Sequence, residues 1–334
     1  MKRSPKFRTI ILFIVMALGL STGPAGAAEK EVTFAYQDMV TPLRVLMDEG
    51  TIEKETGYKI HWRKFGGGGD VVRAMASGDV QIGEAGSSPI ATAASQGMDI
   101  QLFWILDDIA DAEQLVARNG TSINSVADLK GKTVATPFVS TAHFQLIFAL
   151  TDAGVNPKDV KILNMRPPEV AAAWERGDID ATFIWDPVLG KAKQNGKVLV
   201  SAGELSRKGR ATFDGIMVDR QWAEANKPFL TKLVKLIAQK DAEYKARAGA
   251  WNAGSAEAKA IAKLTGAAPA DVPNSLAAYR FLSLDEQASS AWLGGGAAKA
   301  LADTASFLKE QGRISALAPD YAKFVTDEYV KAAK

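Results

Sequence analysis

Two octapeptides, Met75-Ala76-Ser77-Gly78-Asp79-Val80-Gln81-Ile82 and Trp174-Glu175-Arg176-Gly177-Asp178-Ile179-Asp180-Ala181, carry the same punctuation about one hundred residues apart. In each, a helical stretch ends at a glycine, the residue that enters the left-handed closing conformation without a Cβ clash, and an apolar run resumes at once. Each then reaches a proline, Pro89 or Pro187. Helix, stop and strand are common neighbours, but their repetition implies two α/β lobes with mostly parallel sheets flanked by helices.

The flanking sequence fits that grammar. In the first region VTFAY (32–36) reads as a strand, 42–56 as a helix closed by Gly57, and 59–65 as an alternating strand. Gly66 to Gly69 precede Asp70, which is expected to cap a helix over 71–77, with a strand at 80–82. The second region reads as a strand at 132–136, a helix from Ser140 to about 153, and a strand at 160–164. A helix at 169–176 and a strand at 179–185 complete it. From Trp222 onward the pattern is helical, at 222–248, 256–265, 297–310 and 321–333, with no sheet of its own. Those helices should pack on the first lobe or brace both. Strands at 115–118 and 213–218 are the expected crossings, and two crossings permit a hinge. The expected division is a leader over 1–28, lobe 1 over 29–114 and 219–334, and lobe 2 over 115–218.

The leader reading rests on Lys2, Arg3, Lys6 and Arg8, the apolar run 10–20, and the small-residue pattern Ala25-Gly26-Ala27 after Gly23-Pro24. The run is short against the roughly 20 residues that span a bilayer, so a cleaved signal peptide and an exported, periplasmic protein are expected. Removing it turns the formal charge of +2 into about −2. The apparent basicity vanishes, and with it any case for a nucleic-acid surface. The chain has no cysteine and two histidines, which excludes disulfides, thiolate metal sites and cysteine nucleophiles. No cofactor or metal is expected, and the 47% hydrophobic fraction can supply substantial cores.

Chemistry concentrates where strands meet helices. Gly86-Ser87-Ser88-Pro89 and Val139-Ser140-Thr141-Ala142 each open a helix after a strand, exposing unpaired N–H donors and hydroxyls suited to an anion. Either alone is an ordinary serine-bearing helix start; two facing one cleft would be a site. Carboxylates recur at strand ends as Glu84, Glu113, Asp186 and Asp214. Asp214 lies among Phe213, Ile216 and Met217, where a lone charge is costly and a cationic ligand would relieve it. A surface or helix-pairing carboxylate is the alternative. Trp104, Trp185 and Phe213 could wall a ligand or fill a core. Enzyme signatures are sparse: there is no nucleophile elbow, P-loop or zinc-protease helix. His143, three residues after Ser140, is more simply read as part of a capped turn than as a base.

Taken together, Tyr36-Gln37, the stretch Trp62 to Phe65, Gly86 to Pro89, Pro137 to His143, the two Gly-Asp punctuations and Phe307 to Gly312 resemble the taurine-binding periplasmic component of bacterial ABC transporters. The resemblance spans nearly the whole mature chain and extends to the wider nitrate, sulfonate and bicarbonate binding family. It implies a two-lobed, hinged periplasmic binding protein fold with the ligand in the interlobe cleft. Taurine or a related small alkanesulfonate would be captured by a monomer and delivered to an inner-membrane ABC permease. By the same resemblance Ser87, Ser88, Ser140 and Thr141 would hold the sulfonate, Glu113 and Asp214 the amine, and Gln37 would add a polar contact; Gly86, Trp185 and Asp186 complete the ten candidate ligand-binding residues. Glu84 and Asp186 depart from the taurine binders, Asp186 being similar to the broader sulfonate group, and two added carboxylates point to a different or more cationic ligand. The alternatives are a binder of another small organic anion or zwitterion, and an enzyme resembling thiamine-pyrimidine synthases.

Overall fold

The computed structural model describes Met1 and residues 30–334; apart from Met1, the leader expected over 1–28 lies outside the described residues. The chain begins with β1 (Glu31–Tyr36), α1 (Leu43–Glu49), α2 (Thr51–Thr56), β2 (Lys59–Lys64), α3 (Gly68–Ala76), β3 (Ile82–Gly86), α4 (Ser87–Ser95) and β4 (Ile100–Asp108). It continues through β5 (Glu113–Arg118), β6 (Thr133–Thr136), α5 (Thr141–Asp152), β7 (Lys161–Asn164), α6 (Pro167–Arg176), β8 (Ala181–Trp185), α7 (Val188–Gln194), β9 (Gly196–Ser201) and α8 (Ala202–Ser206). β10 (Phe213–Asp219) then leads into α9 (Arg220–Ala225), α10 (Lys227–Arg247), α11 (Ala256–Thr265), α12 (Val272–Ala278), α13 (Leu284–Gln287), α14 (Gly296–Glu310) and α15 (Glu328–Ala333).

These strands form two sheets of five, ordered β2-β1-β3-β10-β4 and β7-β6-β8-β5-β9. In the first, β1 runs parallel to β2 and β3 while β10 runs antiparallel to β3 and β4. The second repeats the scheme, with β6 parallel to β7 and β8, and β5 antiparallel to β8 and β9. Four strands of each sheet therefore point one way, and the reversed strand is the one that has just arrived from the other sheet. Such a strand needs no crossover helix within its new sheet, so it can enter from the opposite end. The result is a two-lobed mixed α/β fold.

Several expected elements change at their ends. The helix expected over 42–56 is two helices, because Gly50 sits at φ 62° and closes α1. The helix expected over 71–77 starts earlier, at Gly68, so Asp70 lies inside its first turn without capping it. Asp70 instead pairs with Arg73 and, 3.1 Å away, with Arg166 of the other lobe. The stretch 222–248 breaks at Asn226, and 321–333 is a short 3₁₀ turn followed by α15.

The helical C-terminal region both covers the first sheet and reaches the second. Leu230, Leu233, Val234, Leu301 and Val330 join Phe34, Ile82 and Trp104 in the first core. At its end α14 places Phe307 and Leu308 against Phe144 and Ile147 of α5. Full burial of each such aliphatic or aromatic side chain contributes about 1.5–3 kcal/mol. Among the described residues, no helix is long and apolar enough to cross a membrane.

Candidate functional site

The ends of β1 and β3 and the start of β10 in the first sheet meet the starts of α5 and β5 and the end of β8 in the second. Gln37, Gly86 and Asp214 face Glu113, Ser140, Thr141 and Trp185 across a cleft closed by Met39, Gly68, Pro89 and Tyr279. Seven of the ten residues singled out in the sequence therefore line one space. Ser87, Ser88 and Asp186 do not. The free space is about 10 Å³, room for about one water. That space does not admit a small sulfonate.

The acidic end of the cleft is built from neighbouring strands. The Glu113 Oε1 accepts from the Thr141 hydroxyl at 2.6 Å, while Oε2 is buried and meets no donor. Burial, and then the charge of Asp214, push the Glu113 carboxyl up to about 8. Burial and then Glu84 raise Asp214 to about 7, opposed by a side-chain hydrogen bond with Asp107. Tyr279, also fully buried, is held well above its usual range by burial and by Asp107, Asp214, Asp186 and Glu113. Among the described residues these groups form no metal-binding cluster. An acidic pocket lacking a cation of its own suits an ammonium group.

The same cleft also supplies donors. Ser140 caps α5, its hydroxyl accepting from the His143 N–H at 3.0 Å and donating to the Pro137 carbonyl at 2.6 Å. The first N–H groups of α4 and α5 have no intrahelical acceptor. Val139, a β-branched residue at φ 60°, holds the turn before α5 in the left-handed region and stores roughly 1–3 kcal/mol of strain. Gly86 must be glycine here, because a Cβ would lie 2.6 Å from the Thr141 methyl and 3.2 Å from Asp214 Oδ1. Ser87 and Ser88 sit at the α4 start but are fully buried; Ser87 Oγ is 3.5 Å from the Phe213 N–H, and Ser88 Oγ meets no partner.

Two carboxylates that suggested an altered ligand are engaged elsewhere. Glu84 receives both terminal nitrogens of Arg44 at 2.6 Å, in an ion pair with no solvent exposure on either side. The pair also clamps Gln37. Its N–H donates to Glu84 Oε2, its Nε2 to the Glu84 carbonyl, and its carbonyl accepts from Arg44, each at 3.2 Å. Asp186 accepts from the Gly190 N–H at 2.7 Å and the Ser275 hydroxyl at 2.5 Å, a tie between the lobes. Glu84 is neutralised by Arg44, whereas Asp186 is held by neutral donors and its charge still acts on Tyr279 in the cleft.

The His143 ring is no partner for Ser140. It stacks on Phe138 at 4.4 Å, and burial followed by Arg313 lowers it to about 3, keeping it neutral. Trp185 donates from Nε1 to Asp38 at 2.9 Å, bridging β8 to the loop after β1. Trp104 and Phe213 belong to the first core. Sequence reading missed Met39, Tyr279, Asp38 and Asp107. Only Asp38 carried a signal, a carboxylate one residue beyond Gln37 at a strand end.

The family described as NMT1/THI5 like matches residues 54–241. The taurine-binding periplasmic protein of Escherichia coli (strain K12) is 38% identical over 300 residues, covering 90% of this chain and 92% of that protein. A putative aliphatic sulfonates-binding protein of the same strain is 30% identical over 55% of this chain and 57% of its own length. Among solved structures, the alkanesulfonate-binding protein of Xanthomonas axonopodis pv. citri bound to MOPS superposes with a TM-score of 0.72 and 25% identity, covering 89% of this chain and 98% of that one. With more than half its length matched by the family profile and a relative aligned almost end to end, this chain belongs to the NMT1/THI5-like family.

Proposed function

We propose that this protein captures taurine, or a small sulfonate that like taurine carries an ammonium, and delivers it to an ABC permease. The observation that carries the reading is the pairing of buried acids and helix-start donors in one cleft. Glu113 and Asp214 are buried without a protein cation, while two helix starts offer donors to an anion that can only accept hydrogen bonds. In this reading the carboxylates take the ammonium, the starts of α4 and α5 take the sulfonate, and Gln37 and Trp185 shape the space between. The similarity to binding proteins, and a Ser140–His143 pair that cannot act as nucleophile and base, favour capture over catalysis. The leader expected over 1–28 and the periplasmic relative support a periplasmic location.

Capture also requires motion. We assign 30–108 and 213–334 to one rotating body and 113–206 to the other, with the hinge in the links between β4 and β5 and between α8 and β10; the division expected at 114/115 and 218/219 shifts because β5 lies whole in the second sheet and β10 in the first. The test is calorimetry with taurine and an amine-free alkanesulfonate of equal length. Taurine should bind at micromolar affinity or tighter, about −8 kcal/mol or better. Strong binding of the amine-free compound with none of taurine would overturn the zwitterion reading.

A further inference from the structure

Behind Asp214, on the neighbouring strand, stands a second acid that the reading above leaves without a task. Asp107 of β4 is directly opposite Asp214 in the β4–β10 ladder, where the register shifts at the next residue. It is 0% exposed, and among the described residues no donor group meets either carboxyl oxygen. Partners in an antiparallel ladder project their side chains to the same face, so the Asp107 and Asp214 carboxyls are neighbours. Two neighbouring buried carboxylates resist ionising together, so one of them carries a proton.

The surroundings decide which one. Asp107 lies in the field of Asp108 on its own strand, Glu113 of β5, Asp214 of β10 and Asp241 of α10, with Tyr279 following α12. The cations that act on this group of acids are committed elsewhere. Arg44 is bound to Glu84, Arg280 to Asp108 and Glu286, and Lys245 to Glu286 and the Phe281 carbonyl. Burial first and these acids next hold Asp107 well above the usual carboxylate range, whereas Asp214 lies closer to the cleft and within the field of Arg44.

We propose that the Asp107 carboxyl is a hydrogen-bond donor that holds Asp214 as the ionised partner of the ligand's ammonium, making Asp107 a positioning residue for ligand selection. The inference rests on the zwitterion reading for its ligand, but the protonation of Asp107 is a property of the free protein. Its O–H bonds one Asp214 oxygen and leaves the other toward Gly86 and the cleft. The pair then presents one negative charge, matched to one ammonium.

Two measurements test it on the full mature chain. In the free protein at neutral pH, the infrared difference between wild type and Asp107→Asn should contain a protonated-carboxyl band belonging to wild type; a difference spectrum without it overturns the proposal whatever the ligand proves to be. For selection, Asp107→Asn keeps a donor of the same shape and should hold taurine affinity within about threefold, while Asp107→Leu, which has none, should weaken taurine by about tenfold or more and an amine-free sulfonate far less. A loss in Asp107→Asn as large as that in Asp214→Asn would make Asp107 an anion acting on the ligand, and equal losses for both ligands in Asp107→Leu would make it structural; either overturns the proposal. Failure of wild type to bind taurine would count against the zwitterion reading alone, because the infrared result needs no ligand.

Discussion

Glu84 and Asp214 are neighbours in one sheet, on adjacent strands β3 and β10, and both are buried, yet they solve the problem of a buried charge in opposite ways. Glu84 has its cation built in, with two Arg44 nitrogens at 2.6 Å and Gln37 closing the remaining valences. Asp214, with Glu113 across the cleft, feels Arg44 only at a distance and forms no ion pair among the described residues. On the proposed reading the second carboxylate takes its cation from outside, and the difference separates structural charge from charge reserved for a ligand.

Breaking the built-in pair should have the largest effect. Arg44→Met strands Glu84 and should cost about 3–5 kcal/mol of stability in urea unfolding. A loss under about 1 kcal/mol would mean that Glu84 resembles Asp214 after all. Asp214→Asn should do the reverse, leaving the free protein at least as stable at neutral pH while reducing taurine affinity by about 2–5 kcal/mol in calorimetry. Loss of stability without loss of affinity would erase the distinction.

Titration sharpens the comparison further. Glu113 and Asp214 start from 4.5 and 3.8 and rise to about 8 and about 7 in the folded protein. Between those limits the folded chain binds more protons than the unfolded one, so the stability of the free protein should fall as pH rises through that window. Taurine affinity should move the other way, because an ammonium favours the ionised acids and expels their protons. Each linked proton changes affinity by at most about tenfold per pH unit. Calorimetry in two buffers of different ionisation enthalpy measures the release, and Glu113→Gln should reduce it. The smallest effect belongs to the exposed tie across the cleft mouth. Asp70→Asn releases Arg166 and should change ligand affinity by about 0–1 kcal/mol, detectable chiefly at low salt.

Much of the architecture was legible because it is local. Gly78 and Gly177 end helices in the left-handed conformation that the octapeptides imply, and the strands expected at 115–118 and 213–218 are β5 and β10. β4 was missed because it is buried along nearly its whole length, and a continuous apolar run has no strand period to read. At the site, the helix starts and Asp214 announced themselves through their immediate neighbours. Glu84 misled because its partner Arg44 is 40 residues away in sequence, and no periodicity links them. Tyr279 gave no sign at all, since it reaches the cleft only when the helices after β10 fold back over the first sheet.

The place of β10 between β3 and β4 sets a timetable for the growing chain. Residues 113–201 contain every strand of the second sheet, so that sheet can close as soon as β9 is available. The first sheet, although it begins earlier, stays split into β2-β1-β3 and a lone β4 until residues 213–219 arrive. The exposed edges of β3 and β4 are therefore open to wrong pairing for as long as it takes to deliver more than a hundred further residues. The later-started lobe finishes first, and its closing link carries in the strand that completes the earlier one.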